Sequence, residues 1–296
     1  MTPTDFTIAL HIGAHKTATT HLQRSLSKSA DQLHEAGVRY YGPPLFRMPG
    51  RSIPALFGLK GDRPDQATRR TPADQLELMR KNAGRLVFSE ENYIGVLNSP
   101  RRFPVTMRYP DAGSRVTALA NALGRKIDVL IGIRRPTGFL NSAYGQMLLG
   151  GRVMPIADYK RINPIESVDW VDLLGRLRAA EGVGRLTVWR HEDYAAVFPQ
   201  ISASLVGAEN AHLVRPFERR IHEGPSTDAV NEIAQRHADG ETGKLGFGMR
   251  KLLPVGPNYP AFDGFAEQEH RSGDAAYAKQ VAALANLAGV TLLQPD

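Results

Sequence analysis

The chain contains no cysteine. That excludes disulfide staples, thiol nucleophiles and thiolate metal sites, and it removes one argument for an oxidising compartment. No apolar run approaches the roughly 18 residues that a membrane-spanning helix needs. The N-terminal MTPTDF lacks the basic region followed by an apolar stretch that marks a secretory leader. A soluble, cytoplasmic protein with no transmembrane segment is expected. Acidic residues are in deficit: Lys+Arg 37 against Asp+Glu 30 leaves a net charge of +7. That excess suits a polyanionic ligand, but unless it clusters it is too weak to indicate nucleic acid. No internal repeat and no clean boundary divides the 296 residues, so a single domain over 1–296 is expected.

What is present is an alternation of strand and helix patterns. FTIALHI (6–12) reads as a strand buried on at least one face, closed by Gly13. VRYY (38–41), RLVFS (85–89), the very apolar IDVLIGI (127–133) and RLTVW (185–189) read as further strands. Helices are expected over 21–36, ended by Gly37, and over 73–83, 114–124, 138–148 and 168–180. Such alternation predicts an α/β fold: an open, mainly parallel sheet with helices on both faces. No strand is expected beyond about residue 225, where TDAVNEIAQRH and AAYAKQVAALANLAG read as helices around a Gly/Pro-rich stretch, 240–264. Residues 43–72 hold six prolines, and Arg47, Arg51, Lys60, Arg63, Arg69 and Arg70 outnumber Asp62 and Asp65. That stretch reads as an excursion from the sheet, either a lid or acceptor-side wall or a plain solvated loop.

Open parallel sheets bind ligands at the carboxyl ends of their strands. Three chemically rich stretches fall there: 13–20, 89–93 and 134–144. In the first, a strand feeds a helix N-terminus, whose free N–H groups and positive dipole end form an anion site. Lys16 and the hydroxyls of Thr17, Thr19 and Thr20 add donors. The triphosphate loop G-x-x-x-x-G-K-[ST] is not matched, because Lys16 comes early and follows no second glycine. The third stretch opens on Arg134 and Arg135 at a strand end, where a guanidinium can bind an anion through charge-assisted bonds. In the second, Glu90 and Glu91 offer a general base; as the plainer alternative, both cap the next helix. His11 and His15 have a metal-like spacing but straddle a strand–loop junction, so no metal site is expected.

HIGAHKTATTHLQ strongly resembles the 5′-phosphosulfate loop of the sulfotransferase superfamily. Cytosolic members read P-K-[ST]-G-T-T-W there, and many bacterial members read H-x-G-x-H-K-T-G-T-T-x-L-Q. GIRRPTGFLNSAYGQ resembles that superfamily's 3′-phosphate motif R-x-P-x-x-x-x-x-S-x-Y through Arg134, Pro136, Ser142 and Tyr144. VFSEENY and LTVWRHEDY extend the likeness more loosely. The resemblance implies a P-loop NTPase-like fold and transfer of a sulfuryl group from 3′-phosphoadenosine 5′-phosphosulfate (PAPS). The acceptor would be a hydroxyl or amine of an anionic glycan or a small molecule, and adenosine 3′,5′-bisphosphate would be released without a metal. It implies donor contacts from His15, Lys16, Thr17, Ala18, Thr19, Thr20, Arg134, Ser142 and Tyr144, with Lys16 also catalytic. The bacterial pattern [LF]-S-[SE]-E-N favours Glu91 as base, with Glu90 the alternative. Arg250 and Lys251, on a second candidate flap (246–260), are placed near the adenosine. The family's K-T-G-T-T glycine is Ala18 here, and a helical backbone at that position would accommodate the methyl group. A P-loop kinase and a non-catalytic nucleotide- or anion-binding protein are the competing readings.

Overall fold

The computed structural model describes residues 6–59, 70–97, 104–218, 224–243 and 245–295. In chain order the elements are β1 (Thr7–His11), α1 (Thr19–Lys28), α2 (Ala30–Glu35), β2 (Val38–Tyr41), α3 (Pro43–Phe46), α4 (Ile53–Leu56), α5 (Pro72–Arg80) and β3 (Arg85–Ser89). Then come α6 (Ala112–Leu123), β4 (Ile127–Ile133), α7 (Pro136–Leu149), α8 (Ile156–Ile162), α9 (Trp170–Arg178), β5 (Val183–Arg190), α10 (Phe198–Val206), α11 (Thr227–Ala238), α12 (Leu245–Leu252), α13 (Glu267–Ala285) and β6 (Val290–Leu293). The strands form one sheet in the order β2-β3-β1-β4-β5-β6. Every pairing is parallel. The chain moves first to one side of β1 and then to the other, so a crevice opens at the carboxyl ends of the central strands.

Side chains alternate across a strand, and both faces of this sheet are covered. Ile8, Leu10, Leu86, Phe88, Val129, Ile131, Leu186 and Val188 enter a large core with residues of α5, α6, α7, α9 and α13. Ala9, Val87, Leu130 and Trp189 face the other way, onto Leu22 and Leu26 of α1, Leu33 of α2 and Ile201 and Leu205 of α10. β1 is therefore buried on both faces.

Three sequence expectations are corrected. A strand does exist beyond residue 225: β6 pairs with β5 at the sheet edge. The single helix expected over 21–36 is two helices broken at Ser29, whose hydroxyl donates to the Leu213 carbonyl at 2.7 Å. Over 43–57 the excursion is not a plain solvated loop, because Phe46, Ile53, Leu56 and Phe57 anchor it in the core while Arg47, Met48, Pro49 and Arg51 stay exposed. Residues 60–69 of that stretch, with Lys60, Asp62, Arg63, Asp65 and Arg69, lie outside the described residues.

Candidate active site

The β1–α1 loop is built on left-handed backbone. Gly13 has φ 104, Lys16 φ 63 and Ala18 φ 65. The result is a nest. The N–H groups of Lys16 and Ala18 make no backbone hydrogen bond among the described residues, and with the first-turn N–H groups of α1 they form the arrangement that receives an anion. The loop sits low because Gly132 of β4 has no side chain; a Cβ there would lie 2.8 Å from Thr17 Oγ1 and 3.0 Å from Trp189 Nε1. Two of the three expected hydroxyl donors turn inward: Thr17 Oγ1 and Thr19 Oγ1 both donate to the Ala14 carbonyl, at 2.6 and 3.0 Å. They brace the loop, while the half-buried Thr20 makes no such bond. The Ala18 expectation is also corrected: its backbone is left-handed, the region that favours glycine.

Cations converge on this nest. Lys16 Nζ donates to Gln146 Oε1 on α7 at 3.2 Å. Burial pulls its ammonium down to about 8, Arg134 and Arg250 push the same way, and Glu91 opposes them. Arg134 Nη1 donates to the Lys16 carbonyl at 2.9 Å, and burial lowers its guanidinium as well. Trp170 Nε1 holds the Arg134 carbonyl at 2.8 Å, which fixes the strand end. Among the described residues none of Lys16, Arg134 and Arg250 has a carboxylate within ion-pair distance. Partly buried cations without a paired carboxylate are costly unless an anion arrives.

Ser142 lies one turn before Gln146 on α7, and its hydroxyl has no partner among the described residues. Tyr144 points elsewhere. Its hydroxyl donates to the Met154 carbonyl at 2.9 Å, and its ring packs on Tyr159 and Phe262. The structure gives Tyr144 a packing role and does not bring its hydroxyl to the loop. His15 is occupied on both ring nitrogens, by Tyr109 Oη at 2.9 Å and Asn92 Oδ1 at 3.1 Å. The amide oxygen can only accept, so Nε2 carries the proton and the Tyr109 hydroxyl donates to Nδ1. Burial lowers the imidazole further, keeping it neutral. His15 thus ties the loop to the 89–93 turn. His11 is wholly buried, its Nδ1 2.7 Å from Ser89 Oγ.

The turn after β3 brings Glu91 against the loop: a Cβ on Gly13 would lie 3.0 Å from Glu91 Cβ. Gln23 Nε2 of α1 donates to Glu91 Oε2 at 2.8 Å, and Arg47 Nη2 donates to Oε1 at 2.7 Å. Burial raises the carboxyl, but Arg47 and the other donors outweigh it and hold it below the usual carboxylate range. Glu90 accepts Arg47 through both oxygens, at 2.9 and 3.0 Å, and its Oε1 also takes the Asn92 amide. Glu90 is committed to structure; Glu91 is the carboxylate beside the nest.

Sequence reasoning missed several participants. Gln23 stands inside the first motif, but nothing in the spacing marks its bond to Glu91. Arg47 lies in the basic excursion, and nothing in its spacing announces the bond to residues 43 and 44 positions away. Gln146 was legible in principle, one turn from Ser142 on the same face. His191, after β5, lies beside Thr17 with Nδ1 buried and unpartnered; burial and Arg134 pull it down to about 4.

No family model and no curated protein matches the chain. Among solved structures it is similar to a sulfotransferase from Alicyclobacillus acidocaldarius, at 17% identity over 83% of this chain and 96% of that one, TM-score 0.41. It is also similar to the mouse sulfotransferase SULT7A1 complexed with PAP, at 11% identity over 93% of this chain and 85% of that one, TM-score 0.33. A third is retinol dehydratase in complex with androsterone and inactive cofactor PAP, at 11% identity over 100% of this chain and 84% of that one, TM-score 0.33.

Proposed function

We propose that this protein transfers a sulfuryl group from PAPS to a hydroxyl or amine of an acceptor, a glycan or a small molecule. The observation that carries the reading is the left-handed loop at the N-terminus of α1, with Lys16 and Arg134 on it, Arg250 within electrostatic reach of Lys16, and the Glu91 carboxylate against Gly13. The nest with Lys16 takes one phosphate of the ligand, and Arg134 with Ser142, further along the chain, is the pair offered to the other.

When bound, PAPS supplies an activated sulfuryl group whose S–O bond to the 5′-phosphate breaks as the bond to the acceptor forms. The protein's part is electrostatic. Lys16 and the loop N–H groups face the charge that grows on the departing phosphate, and they are oriented before the reaction begins. Glu91 takes the acceptor proton. Gln23 and Arg47 each occupy one oxygen of that carboxylate and fix its direction, which leaves lone-pair capacity for the incoming O–H or N–H.

Binding of adenosine 3′,5′-bisphosphate by calorimetry and sulfuryl transfer from labelled PAPS to an acceptor panel test this together. Glu91→Gln should leave bisphosphate affinity near wild type and cut turnover by about 10²–10⁴-fold. Lys16→Ala should cut turnover by about 10²–10³-fold, with a smaller effect on binding. Arg134→Ala should act chiefly on binding. Turnover of ATP with Mg²⁺ and none of PAPS would replace the reading with a kinase. Tight bisphosphate binding with no transfer to any acceptor would make it a binding protein.

A further inference from the structure

The Glu90–Glu91 pair is two adjacent carboxylates, with side chains 7% and 12% exposed, sharing one cation. Arg47 Nε and Nη2 form a fork on Glu90, and the same Nη2 reaches Glu91 Oε1 at 2.7 Å. The fork is held from both ends. Arg47 follows directly on Phe46, whose ring packs edge-on against Phe88 at 5.7 Å. Phe88 is on β3, two residues before Glu90. One strand therefore seats the hydrophobic anchor of the segment and also receives its charge.

We propose that Arg47 is the positioning residue of the general base: its fork on Glu90 keeps the Glu91 carboxylate ionised and aimed at the acceptor. The inference rests on the reading of Glu91 as base. Two neighbouring buried carboxylates resist joint ionisation, whereas a guanidinium at this distance favours it by about 1–3 pKa units. The other charged and titratable groups felt by Glu91 are His15 and Lys16 of the loop, His11 of β1, Tyr40 of β2 and Tyr109. Burial keeps both histidines neutral near pH 7 and both phenols protonated. Lys16 makes no ion pair with Glu91 and faces the nest. Arg47 alone is both charged and bonded to the base.

The test follows the Glu91 carboxyl carbon by NMR titration in ¹³C-glutamate-labelled protein, alongside the pH profile of kcat/KM. Wild type, Arg47→Met, Arg47→Lys and Arg47→Met/Glu90→Gln are compared, with bisphosphate affinity as the check on folding. In Arg47→Met the Glu91 titration and the acid limb of the rate profile should move up together by about 1–3 units. Arg47→Lys should restore part of that shift, which a merely structural role for Arg47 would not do, and the double variant measures how much of the remainder comes from the neighbouring Glu90 charge. An unmoved titration in Arg47→Met and an unmoved acid limb overturn the proposal. A titration that moves while the acid limb stays sustains the electrostatic role of Arg47 but shows that the base is elsewhere. Loss of bisphosphate binding in wild type would instead sink the donor assignment.

Discussion

Ala18 holds a backbone conformation that a side chain resists. Its φ of 65 and ψ of 18 place it in the left-handed region, at the point where the loop turns into α1. The nest needs that geometry, since alternating left- and right-handed backbone is what turns N–H groups toward an anion. A β-carbon there costs roughly 1–2 kcal/mol, while glycine would loosen the unfolded chain by about 0.4–1 kcal/mol. The strain is larger, so Ala18→Gly should raise stability by about 0.5–1 kcal/mol, read as a higher urea midpoint. Bisphosphate affinity should rise or hold, because the loop would rest closer to its binding shape. A lower midpoint would mean that the methyl group packs well enough to offset its backbone strain.

At the scale of elements, the loop's position depends on which glycines lie beneath it. Gly132→Ala would drive a methyl group against Thr17 Oγ1 at 2.8 Å and the buried Trp189 ring nitrogen at 3.0 Å. It should cost about 1–3 kcal/mol and weaken bisphosphate binding. Gly175, inside α9, has nothing within 4 Å of such a methyl. Gly175→Ala should therefore stabilise by about 0.5–1 kcal/mol and leave binding alone. Equal effects from the two would refute a special role for Gly132. The same scale shows what could be read in the sequence. β1, β3, β4 and β5 were legible because buried parallel strands are short, continuous apolar runs. β6 was not: VTLL is a half-exposed edge strand of four residues following directly on a long helix. The break at Ser29 was hidden because a tertiary bond to Leu213 makes it. In the site, Lys16 and Arg134 stood out because residue type and strand ends coincide, whereas Ser142 and the choice of Glu91 over Glu90 came only through the resemblance to the sulfotransferase motifs. The inward turn of Thr17 and Thr19, the packing of Tyr144 and the Arg47 fork depend on rotamers and long-range contacts. Spacing along the chain carries no trace of these.

For the molecule as a whole, the buried histidines set a limit on acid tolerance. Burial pulls His11 from 6.5 down to about 4, with Glu91 and the Gly13 backbone only partly opposing it. His15 and His191 are lowered for the same first reason. The unfolded chain protonates these imidazoles as pH falls through about 6.5, while the folded chain keeps His11 neutral until about 4. Stability is therefore complete above that upper value, falls between the two, and loses nothing more from His11 below the lower one. At pH 5 the loss from His11 alone is about 2 kcal/mol, out of a typical total of about 5–15. Glu91, held low, withdraws its own contribution only beneath the ordinary carboxylate range, so a measurement at pH 5 isolates the histidines. The urea midpoint should drop clearly between pH 7.5 and pH 5.0, and His11→Asn should lessen that drop while lowering the midpoint at pH 7.5. Equal midpoints for wild type at the two pH values would mean that His11 already carries its proton in the fold. Its Nε2, buried and unpartnered, would then have to hold a charge with no acceptor beside it, a state that should cost more than the acid sensitivity it removes.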